Sequence, residues 1–270
     1  MDVDTSDRPA SLRRAAGIAA GVGTHVLFAF TVWHLFWFLK DGRPATGPSS
    51  LWRPAGLALL FAVPHSLILW PPAKKRLTRW IPGAFYGLFY CVVTCVSLLV
   101  VFASWQGSTP VLWQLSGPAA AAMNVGFAAS WIGLFYSLHL TGLGYQTGLT
   151  PWLYWLRRQP QPRRDFVPRG AYLWLRHPVY LSFLGLVWFT PTMSADHAVL
   201  TGLWTVYLFV GSWLKDERLA YYLGESYRAY QQRVPGYPLM PLGPLARRRS
   251  VDGGRAAPSS PSVAPARRAA

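Results

Sequence analysis

Six apolar stretches punctuate the chain, near Ala15–Leu39, Leu51–Trp70, Gly83–Ala103, Gly117–Leu140, Pro178–Thr192 and His197–Leu214. A helix needs roughly 20 predominantly apolar residues to cross the hydrocarbon core of a bilayer, and the first four runs meet that length. The last two are shorter. The Thr190-Pro191-Thr192 break and Asp196 between them predict a tight helical hairpin whose tip reaches the far interface. The pattern therefore predicts an all-α fold, a polytopic integral membrane helical bundle of about six transmembrane helices. The expected divisions are a leader over residues 1–14, a membrane domain over 15–240 and a tail over 241–270. The tail is rich in Ala, Pro, Ser and Arg and lacks periodicity, a composition that does not build a core.

Composition agrees with the pattern: 52% of residues are hydrophobic, only 13% are charged, and 14 are tryptophan, which excludes an ordinary soluble domain. All ten acidic residues lie outside the apolar runs. The basic residues alternate by side. Arg8, Arg13 and Arg14 precede the first run, Lys74, Lys75, Arg76 and Arg79 follow the second, and Arg157, Arg158, Arg163, Arg164, Arg169 and Arg176 follow the fourth; the opposite side holds only Lys40, Arg43 and Arg53 of the 26. Short cytoplasmic loops carry the positive excess, so both termini are expected in the cytoplasm, at an inner membrane if the host is bacterial. The net charge of +16 then reads as topology and contact with anionic membrane lipids. Nucleic-acid binding is disfavoured because the charge is spread among juxtamembrane loops. The first run is about 25 residues and ends in Trp33, Phe36, Trp37 and Phe38, which suits a retained helix better than a signal peptide.

Cys91 and Cys95 sit one helical turn apart, poorly placed for a bridge, and read as small packing residues. His25 and His34 lack an intramembrane carboxylate or a second ligand. His65 follows Pro64, whose ring frees a backbone carbonyl, and reads either as its structural partner or as a cavity residue, because ionisable groups within spans are functional candidates. His139 opens a glycine-punctuated loop from Thr141 to Gly148, where the glycines permit either a turn or a close backbone approach. Neither a strand nor a phosphate-loop spacing accompanies them.

The region 169–234 combines several signals in one order: Arg169-Gly170-Ala171-Tyr172, then Arg176-His177-Pro178-Val179-Tyr180, the hairpin, Asp216-Glu217-Arg218-Leu219, and Gly224-Glu225-Ser226-Tyr227-Arg228-Ala229-Tyr230. In this order the chain resembles the isoprenylcysteine carboxyl methyltransferase superfamily of membrane enzymes. It looks most like the methanethiol S-methyltransferase and NnrU-like branch, on Pro64-His65-Ser66, the His139 loop and Trp188 to Met193. Two departures stand out: Ser182 where many relatives have glycine, and no acidic residue in the loop after His139.

The resemblance implies S-adenosylmethionine as methyl donor and a donor-binding core over 169–234. Arg169 or Arg176 is expected to pair the donor carboxylate, as the planar guanidinium suits bidentate contact. Asp216 or Glu217 is expected to accept from the ribose or ammonium. Tyr172, His177 and Tyr180 are expected on the cofactor wall, and Pro178 to start a helix. Tyr227 is a candidate for the same wall, and Tyr230 reads as an interfacial ring. Arg176, His65 and His139 are the candidates for assisting catalysis. The implied activity is methylation of a small apolar thiol such as methanethiol. The alternatives are a lipid or prenyl-cysteine carboxylate as acceptor, or a non-catalytic membrane scaffold or transport component of the same fold.

Overall fold

The computed structural model describes residues 8–42, 47, 50–108, 110–162 and 166–248, without the side chains of 8–10. The leader before residue 8, Arg43, Arg163, Arg164 and the tail beyond 248 lie outside the described residues. Five helices are long and apolar enough to span a membrane: α1 (Arg8–Asp41), α2 (Trp52–Leu69), α4 (Gly83–Ser104), α5 (Gly117–Thr141) and α9 (Ala195–Leu223). Short helices α3 (Pro71–Leu77), α6 (Leu143–Gln146) and α7 (Leu149–Leu156) lie between them. The protein is an integral, multi-pass membrane protein. Its apolar surface is two-sided, as a bilayer solvent requires. Leu39, Val101, Leu186 and Leu200 fill the interior, while Trp33, Leu59, Val96, Val125, Ile132 and Val206 remain exposed on the outer faces.

The fifth apolar run forms a shorter helix than the sequence suggests. Helix α8 (Pro178–Trp188) has 11 residues, about 16 Å at 1.5 Å per residue, roughly half the hydrocarbon thickness. Extended chain follows it, each residue advancing about 3.3 Å. Residues Thr192–Ser194 form β2, which pairs antiparallel with β1 (Val111–Gln114). Pro191 O accepts from Leu115 N at 2.9 Å and Pro110 O from Ala195 N at 2.8 Å, so the backbone that leaves the helix keeps its partners, as it must at membrane depth. Small residues let α8 lie close along α5: Gly185 faces Ser130, and a Cβ on Gly133 would come 3.0 Å from the Ser182 hydroxyl. Glycine at 133 thus makes the room that serine at 182 takes up.

Two boundaries also move. Helix α9 continues nine residues past Leu214 to Leu223, so Lys215, Asp216, Glu217 and Arg218 stand on its last turns rather than beyond the hairpin. Gly224, at φ +60°, turns the chain into α10 (Glu225–Arg233). Residues 234–248 then fold back over the start of α8: Arg176 N donates to Pro235 O at 2.9 Å, His177 N to Gly236 O at 3.2 Å, and Gly236 N to Leu245 O at 2.7 Å. Leu245 and Ala246, within the stretch that the sequence assigns to the tail, are buried. The end that carries the Arg176 region is called the basic end below, and the end that carries β1 and β2 the ribbon end.

Candidate functional site

A proline at the first position of α8 fixes how the helix starts, and the two residues before it turn inward at the basic end. The Arg176 guanidinium is 2% exposed. Its Nε donates to Asp216 Oδ2 at 3.0 Å and its Nη2 lies 2.9 Å from the same oxygen. Its Nη1 donates to Val234 O at 2.6 Å, Gln231 O at 3.1 Å and Ala246 O at 3.2 Å. Nε and Nη1 are thus hydrogen-bonded within the protein, while Nη2 has the ion-pair contact but no hydrogen-bond partner. The other oxygen of Asp216 accepts from Tyr227 Oη at 2.5 Å and lies 3.1 Å from His177 Nε2. Together Arg176 and Asp216 tie the start of α8 to α9, α10 and the returning segment.

His177 has 0% exposure. Burial holds its imidazole below the usual histidine range, against the opposing pull of Asp216, so the ring is neutral near pH 7. Nε2 faces Asp216 at 3.1 Å, an arrangement that suits a proton on Nε2 and leaves Nδ1 as the acceptor; both ring nitrogens are enclosed and fall outside hydrogen-bond geometry. Gln231, whose backbone carbonyl accepts from Arg176, is likewise fully buried with both side-chain amide atoms unpartnered. Buried polar atoms are nearly always satisfied, and two such groups adjoining one ion pair mark a place built for polar company. Burial and the negative charge of Asp216 raise the Tyr227 phenol, which therefore stays protonated and donates.

The remaining sequence candidates divide. Tyr172 is buried, its carbonyl accepting from Tyr230 Oη at 2.5 Å. Tyr230 is itself 4% exposed, so it is a core residue rather than an interfacial ring. Tyr180 meets the edge of the His177 ring, with centroids 5.5 Å apart. Glu217 is half-exposed and pairs with Arg248. Arg169 sits at the end of α5 and donates from Nε and Nη2 to Leu140 O at 3.3 and 3.2 Å, the position of a helix C-cap cation. His139 is exposed on α5. The glycine loop after it is explained by packing: Gly148, at φ +81°, lies on the backbone of Gly87 and Leu88 in α4, so its close approach is to a helix.

His65 belongs to a second polar cluster. Its Nδ1 is 2.7 Å from Tyr207 Oη on α9, its Nε2 pairs with Tyr90 Oη on α4, and Ser66 Oγ is 3.1 Å from Tyr207 Oη. The partner is therefore two tyrosines from other helices, not the carbonyl freed by Pro64. Tyr90, Tyr207, Gln231 and the residues after 234 escaped the sequence reading. Tyrosine within an apolar run was the one signal available for the first two.

No protein-family model matches the chain, and no solved structure does. Curated proteins do. The methanethiol S-methyltransferase of Pseudomonas sp. (strain GM41(2012)) is 29% identical over 82% of the chain and 89% of its own length. Methanethiol S-methyltransferase 2 of Bradyrhizobium diazoefficiens is 30% identical over 73% of the chain and 74% of its own length. The chain belongs to the methanethiol S-methyltransferase family. Nurim of Xenopus laevis is also similar, 30% identical over 62% of the chain and 61% of that protein, so the family's membrane body is related to that of a vertebrate protein.

Proposed function

We propose that the protein is an integral membrane methyltransferase that uses S-adenosylmethionine to methylate a small apolar thiol, methanethiol in the first instance, at the cytoplasmic face. The observation that carries this reading is the buried Arg176–Asp216–His177 knot, with unpartnered polar atoms on His177 and Gln231, in a chain of this family. Those atoms suit the donor. The bare Nδ1 of His177 can accept from an ammonium or hydroxyl, and the Gln231 amide can both accept and donate. Tyr180 and Glu217 keep accessible surface next to the knot and complete the wall, while Arg169 and Tyr172 hold its rim against α5.

S-adenosylmethionine supplies, when bound, a methyl carbon open to in-line attack by sulfur. The work left to the protein is alignment and exclusion of water. Arg176 and Asp216 hold the start of α8 and the last turns of α9 in one geometry, and residues 235–248 cover them. A small apolar thiol enters from the lipid side, where the outer faces are apolar, and the charged donor from the basic end. The 23 basic residues other than Lys40, Arg43 and Arg53 support a cytoplasmic position for that end.

The test is S-adenosylmethionine binding to detergent-purified protein, followed by headspace detection of dimethyl sulfide after adding methanethiol. Saturable binding that is lost in His177→Ala and weakened in Glu217→Ala, with all variants folded, supports the reading. Folded wild type that binds no donor refutes it. Donor binding with turnover only of long-chain prenyl thiols or carboxylates would move the acceptor assignment to a lipid.

A further inference from the structure

On α9, Tyr207, Gly211, Lys215 and Arg218 recur at helical spacing and form one stripe, separate from the Ser212–Asp216–Ala220 face that enters the knot. The stripe faces α2, α4 and α8. Tyr207 meets His65 and Ser66. A Cβ on Gly211 would lie 3.3 Å from the Tyr180 ring, which crosses the helix there. The Lys215 ammonium stands 5.3 Å from the centroid of that ring, turned inward rather than out toward headgroups. Arg218 lies within electrostatic reach of His65, Tyr90, Tyr180 and Tyr207, residues of four helices. All six side chains keep partial accessibility although they sit on helix faces turned toward one another, so they line a crevice between helices.

The crevice is unbalanced in charge. The ion pairs among the described residues are Arg176 and His177 with Asp216, and Arg248 with Glu217; neither Lys215 nor Arg218 takes part. The nearest acids in sequence make their contacts elsewhere, Asp216 on the opposite face of α9, from which its charge still reaches Lys215, and Glu217 with the returning segment. Two cations converging on a tyrosine-lined crevice inside a membrane helix are costly without an anion. A permanent anion fits better than a developing one, because both charges are present before any chemistry. A basic-end location also matches a ligand arriving from water. Tyr180 joins the two regions, since its ring touches both His177 and Lys215.

We propose that Lys215 and Arg218 are the anion-binding end of the donor site and take the carboxylate of the methionyl group. This rests on the donor reading above and adds residues that the sequence pattern did not single out. Lys215 offers a point charge and Arg218 a planar fork, the usual pairing for a carboxylate that must be held in one orientation. The methionyl chain then runs from the crevice past Tyr180 toward His177.

The experiment compares S-adenosylmethionine with decarboxylated S-adenosylmethionine by calorimetry on the full chain in neutral detergent. Wild type should bind the carboxylated compound at least tenfold more tightly. In Arg218→Gln and Lys215→Gln that ratio should fall toward one through loss of S-adenosylmethionine affinity alone. The decarboxylated compound should keep its affinity within about twofold, which also shows that the variant site is folded. A ratio that survives both substitutions overturns the assignment, as does a wild-type ratio near one, the result expected if the two cations serve lipid phosphates. Wild type that binds neither compound refutes the methyltransferase reading itself, a different result from losing only the discrimination.

Discussion

Removing the carboxylate of Asp216 should be the most damaging single change outside the apolar core. In Asp216→Ala the Arg176 charge stays buried among Gln231, Val234 and Ala246 carbonyls with no counterion, and the Tyr227 hydroxyl loses its acceptor. Breaking one side of a buried ion pair costs about 3–5 kcal/mol. At about 2–4 °C per kcal/mol for a chain of this size, the melting temperature in detergent should fall by about 10 °C. Asp216→Asn keeps an oxygen for Tyr227 and a similar shape, so its loss should be smaller, on the order of half. Fluorescence-detected melting at fixed detergent and lipid gives the comparison. An Asp216→Ala protein melting within about 2 °C of wild type would refute the view of this pair as the tie between α8, α9 and α10.

Asp196 at the ribbon end accepts from Trp105 Nε1 at 2.7 Å, Ser108 N at 3.0 Å and Ser108 Oγ at 2.5 Å; Asp196→Ala should cost about 2–3 kcal/mol and lower the melting temperature, yet leave donor affinity unchanged by calorimetry because α9 separates it from Asp216 by about 30 Å. Gly148→Ala should lower the yield of folded protein and its melting temperature, since the new Cβ meets the α4 backbone at a positive φ; an unchanged melt would contradict that packing. His177 is held neutral by burial, so the unfolded chain binds more protons between the lowered folded pKa and about 6.5. Its contribution to stability is full above pH 6.5 and declines as pH falls below it, and His177→Gln should flatten the melting temperature between pH 7 and 5. Arg169→Ala removes only an exposed helix cap and should shift stability by no more than about 1 kcal/mol, with donor affinity within a few-fold of wild type.

The parts of this fold that are legible in the sequence are those that hydropathy encodes. The long apolar runs announce α2, α4 and α5 nearly to their ends and the C-terminal end of α1, whose helix starts at Arg8, seven residues before the run, and Thr190-Pro191-Thr192 announces a break. Hydropathy stops short wherever a charged residue is buried by pairing. Lys215 to Arg218 read as the end of a span, but Asp216 faces inward to Arg176 and His177, and the helix runs on to Leu223. The candidate site is legible to the extent that its residues are close in sequence: Arg176 and His177 precede Pro178, and Tyr227 follows Asp216 by three turns. It fails where register between distant helices decides, as for Tyr90 and Tyr207 against His65, or where a polar tail supplies carbonyls, as residues 234 and 246 do for Arg176.

The short α8 and the strand that follows it constrain how the chain can be made. Eleven helical residues in α8 are too few to be taken up by a bilayer as an independent span, and the strand that extends them would enter lipid with bare backbone groups. Its partner β1 lies some eighty residues earlier, between α4 and α5, so the complementary edge is synthesised before β2 emerges from the ribosome. Insertion of residues 178–194 is therefore a docking step onto a preassembled template, coupled to arrival of α9, and the order of segments along the chain is the order in which the protein can be built.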